Sequence, residues 1–171
     1  MQRINVKGGS GSGKTTVARA VVARLALPCL ELDALNHGPN WTEASAAELQ
    51  DGVRAFVSAA TDGWVIDGNY EQKLDGLVVD AADTVVWLDL SLLTKLRRLS
   101  RRTRTRMRGD VKLWNDNVET WRTALWGRES LFAWAVRSHF LHRRQWPGRL
   151  GPSVVRLRSE AEVREWLARL P

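Results

Sequence analysis

Apolar residues along this chain fall into short unbroken runs that alternate with longer stretches where they recur every three or four positions. The first run, residues 3–6 (RINV), reads as a buried strand. Residues 16–27 (TVARAVVARLAL) then repeat apolar positions at helical spacing until Pro28 closes the helix. CLELD (29–33) reads as a second strand ending at Asp33, and residues 46–60 (AAELQDGVRAFVSAA) as an amphipathic helix. Asp62-Gly63 makes a turn into the strand WVID (64–67), and Gly68-Asn69 bends the chain after it. TVVWL (84–88) is the strongest β run, with Asp89 at its end. A helix is expected from 92 to about 106, and another over 115–140 with a break at Gly127. Residues 145–152 (QWPGRLGP) read as a loop and 153–157 (SVVRL) as a final strand. Ser159 and Glu162 have the spacing of a capping box ahead of EAEVREWLARL. Strands separated by helices predict a parallel sheet covered on both faces.

A length of 171 residues suits one well-packed core, so a single domain is expected over 1–171. The apolar stretches are interrupted by Arg or Asp well before the length of a membrane span, and the opening MQRINVKGG lacks the apolar run of a secretion signal. The single cysteine, Cys29, excludes an internal disulfide. These features predict a cytoplasmic protein with no membrane partner, as a monomer or homodimer. Net charge is +7, and its location matters more than its size. Lys95, Arg97, Arg98, Arg101, Arg102, Arg104, Arg106 and Arg108 follow one another with no intervening acid, leaving the rest of the chain close to neutral. One local patch of this kind suits several phosphoryl oxygens or a nucleic-acid backbone.

Between the first strand and the first helix lies GGSGSGKTT, in which Gly8, Gly13, Lys14 and Thr15 satisfy the pattern G-x-x-x-x-G-K-T. Converging backbone N–H groups can cradle phosphates only where no Cβ obstructs them, which accounts for Gly8, Gly9, Gly11 and Gly13 alternating with Ser10 and Ser12. The helix beginning at Lys14 turns its positive end toward the same phosphates. Lys14 can reach the β and γ oxygens, the Thr15 hydroxyl can ligate Mg²⁺, and Thr16 completes the first turn. The pattern therefore predicts ATP with Mg²⁺. No N/T-K-x-D segment for reading guanine is present.

Three acids stand where predicted strands finish: Asp33, Asp67 and Asp89. In parallel α/β sheets ligands collect at that edge. Asp67 is the candidate for the outer shell of Mg²⁺, which keeps several waters and uses few carboxylates. Asp33 is the candidate to orient or deprotonate an acceptor hydroxyl, with Glu31 on the same side of the strand and His37 and Trp41 nearby. Strand-end acids also cap turns and helices, and Asp89 fits that role better.

On a helix Arg97, Arg101, Arg104 and Arg108 share one face. Residues from about 92 to 117 are expected to form a lid that closes when ATP and acceptor are both bound. Arg101, Arg104 and Arg108 are its expected phosphate contacts. Trp114, Trp121, Trp126, Trp134 and Trp146 follow, able either to stack bases or to pack helices, and their near-helical spacing favours packing.

With these residues placed, GGSGSGKTTVARAVVARLALPCLELDAL, WVIDGNY, ADTVVWLDL and the arginine-rich helix resemble the adenylate-kinase-like proteins often labelled DNA topology modulation protein. These are P-loop kinases related to nucleoside monophosphate kinases and shikimate kinase. The resemblance covers nearly the whole chain. It implies a three-layer α/β/α P-loop NTPase fold with five parallel strands ordered 2-3-1-4-5, and ATP with Mg²⁺ held by Lys14, Thr15 and Asp67. It implies a kinase acting on a small-molecule phosphoryl acceptor. Two departures stand out. Glu31 replaces the histidine before the family's Leu-Asp, and Glu71 stands where adenylate kinases carry the arginine that grips an acceptor phosphate. The second weakens the case for AMP as acceptor. An ATP-gated module on nucleic acid is the alternative reading, ranked second because the chain carries no nucleic-acid recognition motif.

Overall fold

The computed structural model describes residues 2–108 and 130–171, the side chains of 106–108 excepted. Five strands form one parallel sheet: β1 (Arg3–Gly8), β2 (Cys29–Glu31), β3 (Trp64–Asp67), β4 (Thr84–Leu88) and β5 (Val154–Leu157), ordered β2-β3-β1-β4-β5. Val6 lies opposite Asp67 on one side and Val86 on the other, so the most buried strands occupy the centre and the P-loop springs from the middle of the sheet. The helices are α1 (Lys14–Leu25), α2 (Leu32–Asn36), α3 (Ala46–Ala59), α4 (Glu71–Leu74), α5 (Leu77–Ala81) and α6 (Leu92–Arg108). After the undescribed stretch come α7 (Leu131–Gln145) and α8 (Glu160–Ala168).

Alternation along the strands sorts the core into two faces. Ile4, Val6, Val65, Val86 and Leu88 pack under α1 and α8 with Val17, Val21 and Leu167. Trp64 and Ile66 meet Leu49 and Val53 of α3 on the opposite face, while Val85 and Trp87 meet Trp146 and Leu150. Asn5 and Lys7 occupy inward positions on that second face and are fully buried. Asn5 donates to the Ile66 carbonyl at 3.0 Å, stitching β1 to β3 beyond the ladder.

Four differences from the sequence reading have local causes. The second strand stops at Glu31, and Asp33 lies in the first turn of α2, because helical spacing buries both Leu32 and Asn36. The last described helix before β5 runs to Gln145, past the expected end at 140, as His142 stacks on Trp146 at 3.8 Å. Trp146, read as loop, is thereby buried against Trp87. At α8 the Ser159 hydroxyl accepts from the Glu162 N–H at 3.1 Å, but the Glu162 carboxylate takes the N–H of Arg158, one residue earlier than a capping box requires. Residues 109–129, with Trp114, Trp121, Trp126, Gly127 and the distal part of the predicted lid, lie outside the described residues. So does the Arg108 side chain. No helix among the described residues is long and apolar enough to cross a membrane.

Candidate functional site

The loop between β1 and α1 folds back on itself through a bond from the Ser12 N–H to the Gly9 carbonyl, 3.1 Å. Gly11 and Gly13 both have positive φ, +77° and +91°, where an L side chain is strained. A Cβ on Gly11 would also lie 2.4 Å from the Lys95 carbonyl oxygen of α6, so the loop and that helix approach too closely for any other residue. Gly8 is fixed by the Asn69 side-chain amide, which accepts from the Gly8 N–H (3.2 Å) and donates to the Gly8 carbonyl (3.1 Å). This clamp carries the bend after β3 onto the P-loop. The motif named Gly68-Asn69 only as a turn.

A cleft of about 1080 Å³ opens along the loop. Gly11, Ser12, Gly13, Lys14, Thr15 and Thr16 form its floor. Gly8, Gly9 and Ser10 precede that floor, the first two buried. One wall is α8, with Val163 and Leu167 offering an apolar surface. The other is α6, through Arg98 and Arg102, and Glu31 and Asp33 stand at one end.

Thr15 donates its hydroxyl proton to Asp67 Oδ2 at 2.7 Å, while Asp67 Oδ1 is buried without a partner among the described residues. Burial raises the Asp67 carboxyl above the ordinary carboxylate range, against the pull of Lys14 and the Thr15 hydrogen bond. A buried carboxylate with a bare oxygen beside a hydroxyl is a hard-oxygen donor set of the type Mg²⁺ prefers. Among the described residues no three acids, histidines or cysteines converge as a complete cage. The residues therefore fit a Mg²⁺ ion whose remaining ligands are phosphate oxygens and water. The Ser12 hydroxyl, also buried and without a hydrogen-bond partner among the described residues, faces the same need for a ligand oxygen.

At the other end, the Tyr70 hydroxyl donates to Asp33 Oδ1 at 2.7 Å and lies 3.2 Å from His37 Nε2. Burial, then the negative charge of Asp33, pushes the Tyr70 phenol well above its usual range, so it remains a proton donor. Tyr70 holds the left-handed conformation at φ 50°, a strained arrangement for a bulky residue and one that aims its ring at α2. His37 meets Trp41 edge-on, ring centroids 5.4 Å apart.

The arginine helix meets the cleft with a different face from the one its spacing suggested. Arg98 donates to the Ser12 carbonyl (3.1 Å) and pairs with Glu160 (2.8 Å), and Arg102 lines the cleft beside it. Arg101 and Arg104 line a separate hollow with Arg97, Leu96 and Phe132. Leu99, fully buried, and Lys95 set this rotation by facing inward. Asp89 is occupied elsewhere. Burial acts to raise its carboxyl, but hydrogen bonds from Arg143 (2.8 Å) and Arg156 (2.7 Å) outweigh that and hold it below the usual range. Trp134 is exposed under Arg137, with the guanidinium 5.1 Å from the ring centroid.

The sequence reading did not foresee that two of the lysines are buried. Lys7, read as part of the loop's approach, is 1% exposed and pairs with Glu71 at 2.7 Å. Lys95 Nζ lies 2.9 Å from His139 Nδ1, and burial lowers the lysine to about 8.

Comparison with solved structures returns the same architecture across nearly the full chain. A shikimate kinase from Bacteroides thetaiotaomicron aligns with TM-score 0.58 at 14% identity, over 99% of this chain and 96% of its own. A gluconokinase from Sinorhizobium meliloti 1021 gives 0.56 at 19% identity, covering 99% and 93%. A deoxyadenosine kinase from M. mycoides with bound dCTP gives 0.52 at 10% identity, covering 98% of each chain. At such identities the likeness establishes the fold. No curated protein matches the sequence. The family model described as ATPase family associated with various cellular activities (AAA) matches residues 4–89, from β1 through the end of β4 and with it the P-loop, Asp33 and Asp67. That match takes in just over half of the chain, and by it the chain belongs to the AAA ATPase family.

Proposed function

We propose that this protein is an ATP-dependent phosphotransferase that moves the γ-phosphoryl group of ATP to a small molecule bearing a hydroxyl. The observation that carries the reading is one continuous cleft in which the P-loop, with Lys14 and the Thr15–Asp67 pair, leads directly to Asp33 held by Tyr70. A nucleotide hydrolase needs no carboxylate at that end, whereas a kinase needs a group to orient and deprotonate its acceptor. The solved structures of like fold named for gluconokinase, shikimate kinase and deoxyadenosine kinase support the same class.

In this reading Gly8 to Thr16 surround the phosphates with backbone N–H groups, and Lys14 neutralises charge on the β and γ oxygens. Thr15 and Asp67 would hold Mg²⁺, which supplies charge neutralisation on the phosphoryl oxygens when bound. Val163 and Leu167 give the nucleobase an apolar wall. Arg98 and Arg102, which line the cleft, would be the first arginines to meet the phosphates. Arg101, Arg104 and Arg108 belong to the proposed lid and would reach them only after the helix shifts. Glu71, where adenylate kinases carry an arginine, neutralises Lys7, so the adenylate-kinase-like resemblance serves the ATP half of the site and not an AMP half.

The test is calorimetric titration of ATP·Mg²⁺ into the wild type and Lys14→Ala, followed by acceptor-dependent ADP release. Binding that Lys14→Ala abolishes with its circular dichroism unchanged is expected. ATP binding indifferent to Lys14→Ala would overturn the assignment.

A further inference from the structure

We propose that Asn69 is a positioning residue for the phosphate loop. Its side-chain amide holds Gly8 in the conformation that aims the loop's N–H groups at the phosphates of ATP. This rests on the nucleotide half of the phosphotransferase reading and adds a residue to it.

The need for such a residue comes from the register of the sheet. β3 ends at Asp67, opposite Val6, while β1 runs on through Lys7 to Gly8. Val6 turns its carbonyl to the β3 side, where the Gly68 N–H donates to it at 3.1 Å. In a parallel ladder every second residue faces the same neighbour, so Gly8 faces that side too. β3 has no residue left there to pair with it. Asn69 supplies the missing partner from its side chain, accepting from the Gly8 N–H at 3.2 Å and donating to the Gly8 carbonyl at 3.1 Å. Gly8 is buried, so leaving both backbone groups unmet would be costly.

From Gly8 the chain leaves the sheet and turns through Gly9 to Ser12 into α1. Its N–H groups serve a phosphate together only when all point inward at once, and a loop already in that shape loses less freedom on binding. Fixing both backbone groups of its first residue sets the direction in which the loop departs. The same short segment reaches the rest of the site. Asp67 accepts from Thr15 of α1 (2.7 Å), Tyr70 donates to Asp33 of α2 (2.7 Å), and Glu71 pairs with Lys7 of β1 (2.7 Å). Asn69 stands among these contacts, next to Tyr70 with its left-handed φ of 50°. Such backbone strain persists where surrounding contacts over-determine it. Releasing the amide would therefore loosen the loop without removing Lys14, Thr15 or Asp67, and the loss would fall on phosphate binding.

The experiment is calorimetric titration of ATP·Mg²⁺ and of inorganic tripolyphosphate with Mg²⁺ into the wild type, Asn69→Ala, Asn69→Ser and Gln50→Ala. Gln50→Ala controls for general loosening, because it removes another side-chain amide bond, to the Lys73 carbonyl at 2.7 Å, away from the loop. Asn69→Ala should weaken both ligands by about 10-fold or more, and by the same factor. Asn69→Ser, too short to span both Gly8 groups, should fall between it and the wild type, and Gln50→Ala should stay within about twofold. Binding by Asn69→Ala within about twofold of wild type would overturn the inference, as would a loss confined to ATP or an equal loss in Gln50→Ala. Failure of both Asn69 variants to fold would overturn it too, since the amide would then belong to the core and not to the site. A wild type that binds neither ligand would instead remove the reading beneath it.

Discussion

Replacing Glu71 by Gln removes the charge opposite Lys7, and the consequence can be worked from the geometry. Lys7 projects from the central strand and is 1% exposed; its ammonium lies 2.7 Å from Glu71, 3.5 Å from the Asn69 carbonyl and 5.6 Å from the centroid of the Trp146 ring. At that separation the attraction is about 6 kcal/mol with an effective dielectric of about 20. Most of it offsets the loss of the lysine's hydration. Glutamine keeps an acceptor atom but not the charge, and the ring and carbonyl remain. The expected loss is therefore at the low end for a broken buried pair, about 3 kcal/mol. For a chain of this size that corresponds to a fall in Tm of about 6–12 °C. Lys7→Met removes the buried charge itself and leaves Glu71, whose side chain is 28% exposed and can turn to water. Its cost should be about 1 kcal/mol, and the double variant should resemble it.

Urea unfolding of the four proteins at pH 7 gives the cycle. A pH series adds an independent check. Burial already holds the lysine below its usual range against the counter-effect of Glu71, and Glu71→Gln lowers it further. Above that folded value, and up to the unfolded one, the native state binds fewer protons than the unfolded state. Stability of the Gln variant therefore rises with pH over that window, and its deficit shrinks. A Glu71→Gln protein within about 0.5 kcal/mol of wild type, or Lys7→Met clearly more damaging than Glu71→Gln, would refute the assignment of a compensated buried charge.

Three other substitutions address the site and its surroundings. His142 is buried on Trp146, and burial followed by the nearby lysines pushes it down to about 4 despite Glu71. Between about pH 4 and 6.5 the unfolded state takes up a proton that the native state does not, so stability rises with pH there. His142→Asn should flatten that slope in a series of thermal melts, and an identical slope would exclude the residue as its source. Arg98→Ala should weaken ATP·Mg²⁺ binding by about 10-fold or more while Arg101→Ala leaves binary ATP binding within about twofold, read by calorimetry. The opposite ranking would show that the face carrying Arg101 meets the nucleotide.

Much of this fold is legible locally. Apolar runs such as TVVWL are long enough to be buried on both sides and too short for a helix, so the central strands and their parallel arrangement follow from the chain. The glycine loop is legible for a stronger reason. Backbone conformations open only to glycine, a lysine and a hydroxyl must stand in fixed order next to a helix start, and all of these are properties of one contiguous segment. Asp67 stands out because it ends an apolar strand run, at the edge where ligands collect in parallel sheets.

What tertiary structure decided depends on segments distant in sequence. Periodicity states which arginines share a helix face, but not which face turns to the P-loop. Burial of Leu99 and Lys95 set that rotation, bringing Arg98 onto Ser12 and Glu160. Asp33 reads as the end of a strand because Leu and Asp suit either state in isolation, whereas the core accepts Leu32 and Asn36 only on one side of a helix. Lys7 and Glu71, Asn69 and Gly8, and Tyr70 and Asp33 are partners made by the adjacency of β1, β2 and β3. A charged residue inside a strand carries no local sign of its counter-ion. Only when the sheet is assembled does burial make one obligatory, and the chain that supplies it is then whatever the topology has brought within reach.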